Sequence, residues 1–262
     1  MKEYVFNKIT DENVSDIVLS FKEAGFVVIK NAVNRNTIIR LKKKLDDCVK
    51  NNKIKKKIRD LHFFKNGEIS SVHNLSLYIK YYKKFQNSSS IMYLAKKIYG
   101  DMSKKSFNSS YFAKPKKIGL ETKPHQDNAF FCMKPSEVLT FWFPVKFANK
   151  KNGSLYYYYG SHKSGIYEHE PKGNLGASMS IKKKDLKIIN KKYKKIFIDL
   201  KIGDFVVHSS NVVHGSKKNK SIHDRNAFNF SIASKKTKKQ KKLKKEYQEK
   251  LKKFLKLKKL AS

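Results

Sequence analysis

Apolar residues recur at helical spacing near the start of the chain, where Val14, Ile17, Val18 and Phe21 fall on one face between Thr10 and Gly25. With Thr10 or Asp11 as a cap and Gly25 as a stop, this spacing predicts a short helix. Phe26-Val27-Val28-Ile29 is a β-branched run suited to a buried strand. Asn36-Thr37 then opens a second helix that turns Ile38, Leu41, Leu45 and Val49 inward. Ser88 to Ser90 caps a third, running through Ile91, Leu94 and Ile98 and ending at Gly100. Residues 1–100 therefore read as helices packed around one strand.

Beyond Asp101 the texture changes to short aromatic or β-branched runs separated by Gly, Pro, Asn and Lys. These are Leu139 to Val145, Leu155 to Tyr159, Ile196 to Leu200, Phe205 to His208 and Ala227 to Ala233. Such spacing predicts the strands of a sandwich or barrel. Asn149 to Gly153 and Gly215 to Asp224 read as lysine-rich surface turns, and no repeat of solenoid period is present. From about Lys235 a lysine-dense helix pattern carries one apolar stripe, Leu243, Tyr247, Leu251, Phe254 and Leu255. The organisation expected is one domain over 1–234, with a helical part at 1–100 and a β core at 101–234. A Lys-rich amphipathic helix or tail follows at 235–262. Its stripe favours docking on the domain over contact with a membrane surface or nucleic acid.

Composition adds a core and a puzzle. A chain of 262 residues that is 39% hydrophobic, with 18 Phe and 14 Tyr, has ample material to bury. Its formal charge of +39 points to an anionic partner. Yet 56 of the 60 basic residues are lysine, and only Arg35, Arg40, Arg59 and Arg225 offer the forks on which groove and phosphate recognition leans. The surplus is read first as solvated compositional charge, with no obligate nucleic acid, leaving room for peripheral contact of the tail with anionic surfaces. A basic nucleic-acid or membrane-surface binding protein that uses the β domain as a scaffold is the alternative. Cys48 and Cys132 make neither a disulfide framework nor a zinc spacing, which fits a reducing compartment and a cytoplasmic location. No stretch is apolar enough to span a bilayer or to read as a signal peptide behind Met1.

The chemistry gathers at His125-Gln126-Asp127. On a strand, residues i and i+2 share a face, so an imidazole and a carboxylate here would converge. Val212-Val213-His214 ends an apolar run before Gly215-Ser216 and offers a third ligand, with His208 in reserve six residues earlier. Two histidines and one carboxylate leave positions open on octahedral iron(II), whereas zinc prefers a closed set of N and S ligands. Arg225 opens a strand on which it shares a face with Ala227, Asn229 and Ser231, while Phe228, Phe230 and Ile232 pack the other way. A guanidinium at a cavity wall calls for a bidentate anion such as the far carboxylate of 2-oxoglutarate. The plainer reading of Arg225 alone is a surface pair with Asp224.

Taken together, His125-Gln126-Asp127, Asn152-Gly153-Ser154-Leu155, Gly160-Ser161-His162, Gly203-Asp204, His214-Gly215-Ser216 and Arg225 resemble, in order and spacing, the phytanoyl-CoA dioxygenase family of iron(II)/2-oxoglutarate oxygenases. The resemblance runs from about Phe26 to Ala233. It implies a mainly β double-stranded β-helix of jelly-roll, cupin-like form with flanking helices. It also implies Fe(II), 2-oxoglutarate and O2 as the cofactor set, and hydroxylation of a small molecule, which could be anionic, with release of succinate and CO2. His125, Asp127 and His214 correspond to the iron ligands and Arg225 to the clamp on the cosubstrate's far carboxylate. Ser216 would assist the clamp, and Lys114 and Trp142 occupy places that look like cosubstrate-pocket positions. With Asp127 in the carboxylate place, halogenation is disfavoured. Tyr159 stands where relatives usually have proline, and Lys150-Lys151 replaces an acidic residue, departures that bear on substrate rather than on metal.

Overall fold

The computed structural model describes residues 3–51, 60–64, 66–117, 119–174 and 177–260. Two sheets carry the architecture. The larger has eight strands in the spatial order Val5–Asn7, Phe26–Lys30, Phe205–Ser209, Val138–Pro144, Arg225–Ser234, Met102–Lys114, Ile69–His73 and Leu61–Phe63. The smaller has four, in the order Lys195–Phe197, Leu155–Tyr158, His214–Ser216 and Thr122–His125. Neighbours in both sheets are antiparallel except the first pair, in which Val5 lies opposite Val28.

Period-two alternation sorts the central strands between two layers of core. Phe141 and Phe143 point one way with Phe205, Phe228, Phe230 and Ile232, into an apolar layer shared with the helices Val14–Ala24, Arg35–Lys50 and Ser89–Tyr99. Phe141 and Phe143 stack on Phe230 at centroid separations of 5.3 and 5.7 Å. Truncating such a ring to alanine costs about 3 to 5 kcal/mol. The intervening residues face the smaller sheet: Trp142, Val206 and Ala227 pack with Leu155, Tyr157 and Val212. Tyr156 and Tyr158, one position off Tyr157, pack behind the small sheet with Ile189 of the helix Lys183–Lys192. The polar members of the inward set, Thr140, His208, Arg225, Asn229 and Ser231, are thereby delivered to the space between the sheets.

Several boundaries differ from expectation. The first helix starts at Val14 with Asn13 at its cap, because Thr10 and Asn13 bond each other's backbone N–H and consume the capping groups locally. The second starts at Arg35, with the Asn34 side chain accepting from the Asn36 N–H, and it buries Cys48 while Val49 packs half-buried against the same core. The N-terminal third also contributes three further strands, two of them extending the large sheet beyond the long strand Met102–Lys114. The segments read as surface turns are not wholly on the surface, since Asn152, Ser216 and Asn219 are buried. Asn219 donates to Lys114 O and His223 O and ties its loop to the large sheet. The C-terminal helix spans Lys241–Leu260; Leu243 and Leu255 of its expected stripe are half exposed, and Lys244 takes a place on the docked face.

Candidate metal centre and adjoining pocket

His125 ends the strand Thr122–His125, but Asp127 does not continue it. With φ −58° and ψ −36° it sits at the start of the one-turn helix Asn128–Phe131, so the shared strand face expected for this pair is replaced by a turn at Asp127, directly after Gln126. That turn is pinned. The fully buried Gln126 amide donates to Gly165 O and Asn211 O at 2.7 Å each, and its oxygen accepts from Tyr167 N at 2.8 Å. The Gln126 backbone N–H donates to His169 Nε2 at 3.0 Å. His214 lies opposite His125 on the neighbouring strand. One ligand atom each from His125, Asp127 and His214 lie within 4.8 Å of one another.

The donor set is oriented for a cation. His125 Nδ1–H donates to Lys123 O at 2.8 Å and His214 Nδ1–H to Val212 O at 3.1 Å, which leaves both Nε2 lone pairs facing the centre. Those Nε2 atoms are 3.6 and 3.7 Å from Asp127 Oδ1. The other carboxylate oxygen, Oδ2, accepts from the Thr140 hydroxyl at 2.8 Å and from His208 Nε2–H at 3.3 Å. With its proton given to Asp127, Thr140 accepts from Ser231 at 2.9 Å. The buried Tyr157 hydroxyl donates to His208 Nδ1 at 2.9 Å and so fixes the tautomer that presents Nε2–H to the carboxylate. His208 thus lies against Asp127 and outside the three-residue cluster. Burial pushes the His125 and His214 imidazoles below the ordinary histidine range, keeping them neutral. Burial alone would raise the Asp127 carboxyl, but the His208 hydrogen bond and the surrounding histidines hold it well below the usual carboxylate range. Two neutral imidazoles and one carboxylate, all held from behind, form a facial set with positions left open.

Arg225 lies in the same space and is 4% exposed, so the surface-pair reading does not hold; Asp224 instead accepts from Lys116 N. Its Nε–H donates to Gly153 O at 3.2 Å, and its guanidinium lies 5.6 Å from the centre of the Trp142 ring. Gly153 adopts φ +86°, and a Cβ there would meet Lys217 O at 2.7 Å, so glycine is what lets the loop approach. Lys114 pairs across the strands with Arg225 and is also buried, donating to Ser216 Oγ at 2.5 Å and Lys217 O at 2.8 Å. Burial, reinforced by Arg225, draws the Lys114 amine down to about 6, and burial draws Arg225 down to about 9. Among the described residues neither basic group has a carboxylate in ion-pair contact, and the Lys114 amine gives up its proton readily until an anion arrives. This end of the space is built for an anion.

One cavity of about 630 Å³ joins the two halves and reaches outward past Phe112, Phe130 and His73 to Tyr247 of the C-terminal helix. The residues expected to matter, His125, Asp127, His214, Arg225, Ser216, Lys114 and Trp142, all line it. Sequence reasoning missed Thr140, Tyr157, His169, Phe130 and Tyr247. Thr140 alone had a readable signal, as the single hydroxyl inside the apolar run Val138–Pro144.

Two facing sheets with a His, Asp, His cluster at one end of the interlayer space define the double-stranded β-helix of the non-haem iron oxygenases. Solved structures with this fold include the non-haem α-ketoglutarate-dependent carbocyclase SnoK from nogalamycin biosynthesis, with TM-score 0.69 at 18% identity over 88% of this chain and 87% of that one. EctD from S. alaskensis with bound Fe has TM-score 0.69 at 16% identity, over 86% and 77%. The sequence model for phytanoyl-CoA dioxygenase matches residues 21–227. A phytanoyl-CoA dioxygenase of Arabidopsis thaliana is 26% identical over 86% of this chain and 90% of its own length. A phytanoyl-CoA dioxygenase domain-containing protein 1 homolog of Dictyostelium discoideum is 32% identical over 45% of this chain and 42% of its own. The chain belongs to the phytanoyl-CoA dioxygenase family, and is a 2-oxoglutarate-dependent non-haem iron dioxygenase.

Proposed function

We propose that this protein hydroxylates a small organic molecule, with iron(II) held by His125, Asp127 and His214 and 2-oxoglutarate held through its far carboxylate by Arg225. The observation that carries the reading is one cavity joining an open facial donor set to a buried guanidinium that, among the described residues, has no carboxylate partner. When bound, iron and 2-oxoglutarate supply the oxidising power to insert one oxygen atom of O2, with succinate and CO2 as co-products.

The chain's own residues bind, orient and exclude water. Thr140 and His208 hold Asp127 so that Oδ1 faces the two Nε2 atoms. Arg225 offers its fork to the cosubstrate, beside the Trp142 ring. Lys114 keeps Ser216 in place and adds a second cation when an anion arrives. A scaffold for nucleic acid or membrane would have no use for these buried groups. We take residues 1–234 as the oxygenase domain and the cytoplasm as its setting. Among the described residues no helix is long and apolar enough to cross a membrane.

The test is a screen of metabolite mixtures with the purified protein, Fe(II), ascorbate and 2-oxoglutarate, read by mass spectrometry. A compound that gains one oxygen in step with succinate formation is the expected result. A product formed without oxygen gain, such as a new ring or an epimer, would replace hydroxylation as the reaction.

A further inference from the structure

The family match ends at residue 227, yet the cavity is completed by a residue twenty positions further on. Tyr247 of the helix Lys241–Leu260 lines the cavity beside Phe130, edge-on at a centroid separation of 5.9 Å. The helix is fastened at its start: Gln240 N–H donates to Cys132 O at 2.7 Å, and Lys244 Nζ donates to Phe130 O at 2.9 Å. Lys244, Tyr247, Leu251 and Phe254 are half-buried in three- and four-residue steps, so one face of this lysine-dense helix lies on the domain. Phe130 in turn packs edge-on against His125 at 5.6 Å and against His169 at 6.2 Å. A single aromatic ring separates the helix from a ligand of the metal centre.

The outer cavity has a definite chemical character. Phe112, Phe130, Phe131 and Tyr247 give it aromatic walls, and Ser71, His73 and Asn108 give it neutral polar ones. Among the described residues Asp127 is the only carboxylate on the lining, and it belongs to the metal centre. A substrate ammonium group would find no counter-ion there, whereas a flat apolar body could stack on the rings.

We propose that the C-terminal helix is the substrate-recognition wall of the enzyme, Tyr247 stacking on a flat apolar body of a neutral or anionic substrate. This rests on the oxygenase reading for the place of the reacting centre; the wall itself rests on the packing of the helix. The bland alternative is a helix that merely covers the domain, with Tyr247 as a packing anchor.

The full chain is titrated with N-phenyl-1-naphthylamine, a neutral aromatic probe that the net charge does not attract. Probe emission is read together with quenching of Trp142, the single tryptophan, which lines the same cavity. Tyr247→Ala should weaken probe binding at least about fivefold, the worth of one aromatic contact. Tyr247→Phe and Leu243→Ala, the latter on the half-exposed face of the same helix, should bind within about twofold of wild type because both keep the ring. The KM for 2-oxoglutarate should not move in any of the three. Equal probe affinity in Tyr247→Ala and wild type, or no binding to wild type, overturns the proposal. Absence of succinate formation in every form would count against the oxygenase reading and leave the probe result to judge the wall.

Discussion

Replacing Arg225 with methionine should make the ligand-free protein more stable and its cosubstrate binding weaker, two effects that a merely structural arginine would not combine. In the folded chain this guanidinium is 4% exposed, has Gly153 O as its hydrogen-bond acceptor at 3.2 Å, and is drawn down to about 9 by burial. Its charge is thus held at a cost until an anion arrives. Methionine keeps most of the volume without the charge, and replacing buried charges by apolar groups stabilises by about 1 to 4 kcal/mol. Taking about 2 kcal/mol, the melting temperature of a chain this long should rise by about 4 to 8 °C. Against this, each charge-assisted bond lost to 2-oxoglutarate costs about 1.5 to 3 kcal/mol, so affinity should fall at least about tenfold. Arg225→Lys should rescue affinity only partly, because an ammonium lacks the planar fork. The assays are thermal denaturation without ligand and calorimetric titration with 2-oxoglutarate. A lower melting temperature with unchanged affinity would refute the reasoning and leave Arg225 as a tie to the Gly153 loop.

Three further outcomes follow from particular contacts. Thr140→Val removes the 2.8 Å donor to Asp127 Oδ2 and should lower iron affinity about tenfold or more in an anaerobic titration; equal affinity would show that His208 orients the carboxylate alone. Lys114, drawn down to about 6 from an ordinary value near 10.4, binds its proton less readily folded than unfolded, so between those limits its contribution to stability rises with pH. Urea midpoints at pH 7 and 9 should accordingly show a flatter pH dependence in Lys114→Met, by about 1 kcal/mol per pH unit, and parallel curves would contradict the burial of the amine. Gly215→Ala would put a Cβ 2.6 Å from the Tyr156 hydroxyl and 2.8 Å from Thr122 O, beside a metal ligand. It should cost about 1 to 3 kcal/mol of stability and weaken iron binding, and a wild-type urea midpoint with intact iron affinity would show that the strands yield freely.

What the sequence disclosed followed from how local each signal is. The aromatic or β-branched runs at 26–29, 139–145 and 205–208 are buried on both faces, so composition alone marks them as strands. The alternation along 225–234 separates Arg225 and Asn229 from Phe228 and Phe230 because a strand has a strict period of two. The long strand Met102–Lys114 was not legible because it opens on the polar sequence Ser103-Lys104-Lys105 and only its pairing with Arg225–Ser234 carries it through. At the metal centre, residue types and order were legible, but the turn at Asp127 was not, since it depends on Gln126 being held by Gly165, Asn211 and Tyr167 from far along the chain. Tyr247 read as one member of an amphipathic stripe; its place on the cavity is set by where Cys132 and Phe130 stand, which no helical period records.

The central claim is that His125, Asp127 and His214 hold the iron that drives 2-oxoglutarate oxidation, and succinate formation under air by the metal-free protein titrated with Fe(II) tests it most directly. Wild type should produce succinate in proportion to bound iron and stop on chelation. His214→Ala should neither bind iron nor produce succinate, while His208→Ala should keep measurable activity at raised iron concentration, because His208 touches the carboxylate and stands outside the cluster. Iron-dependent succinate formation that survives His214→Ala and is abolished by His208→Ala, or none from the wild type at any iron concentration, would contradict the account.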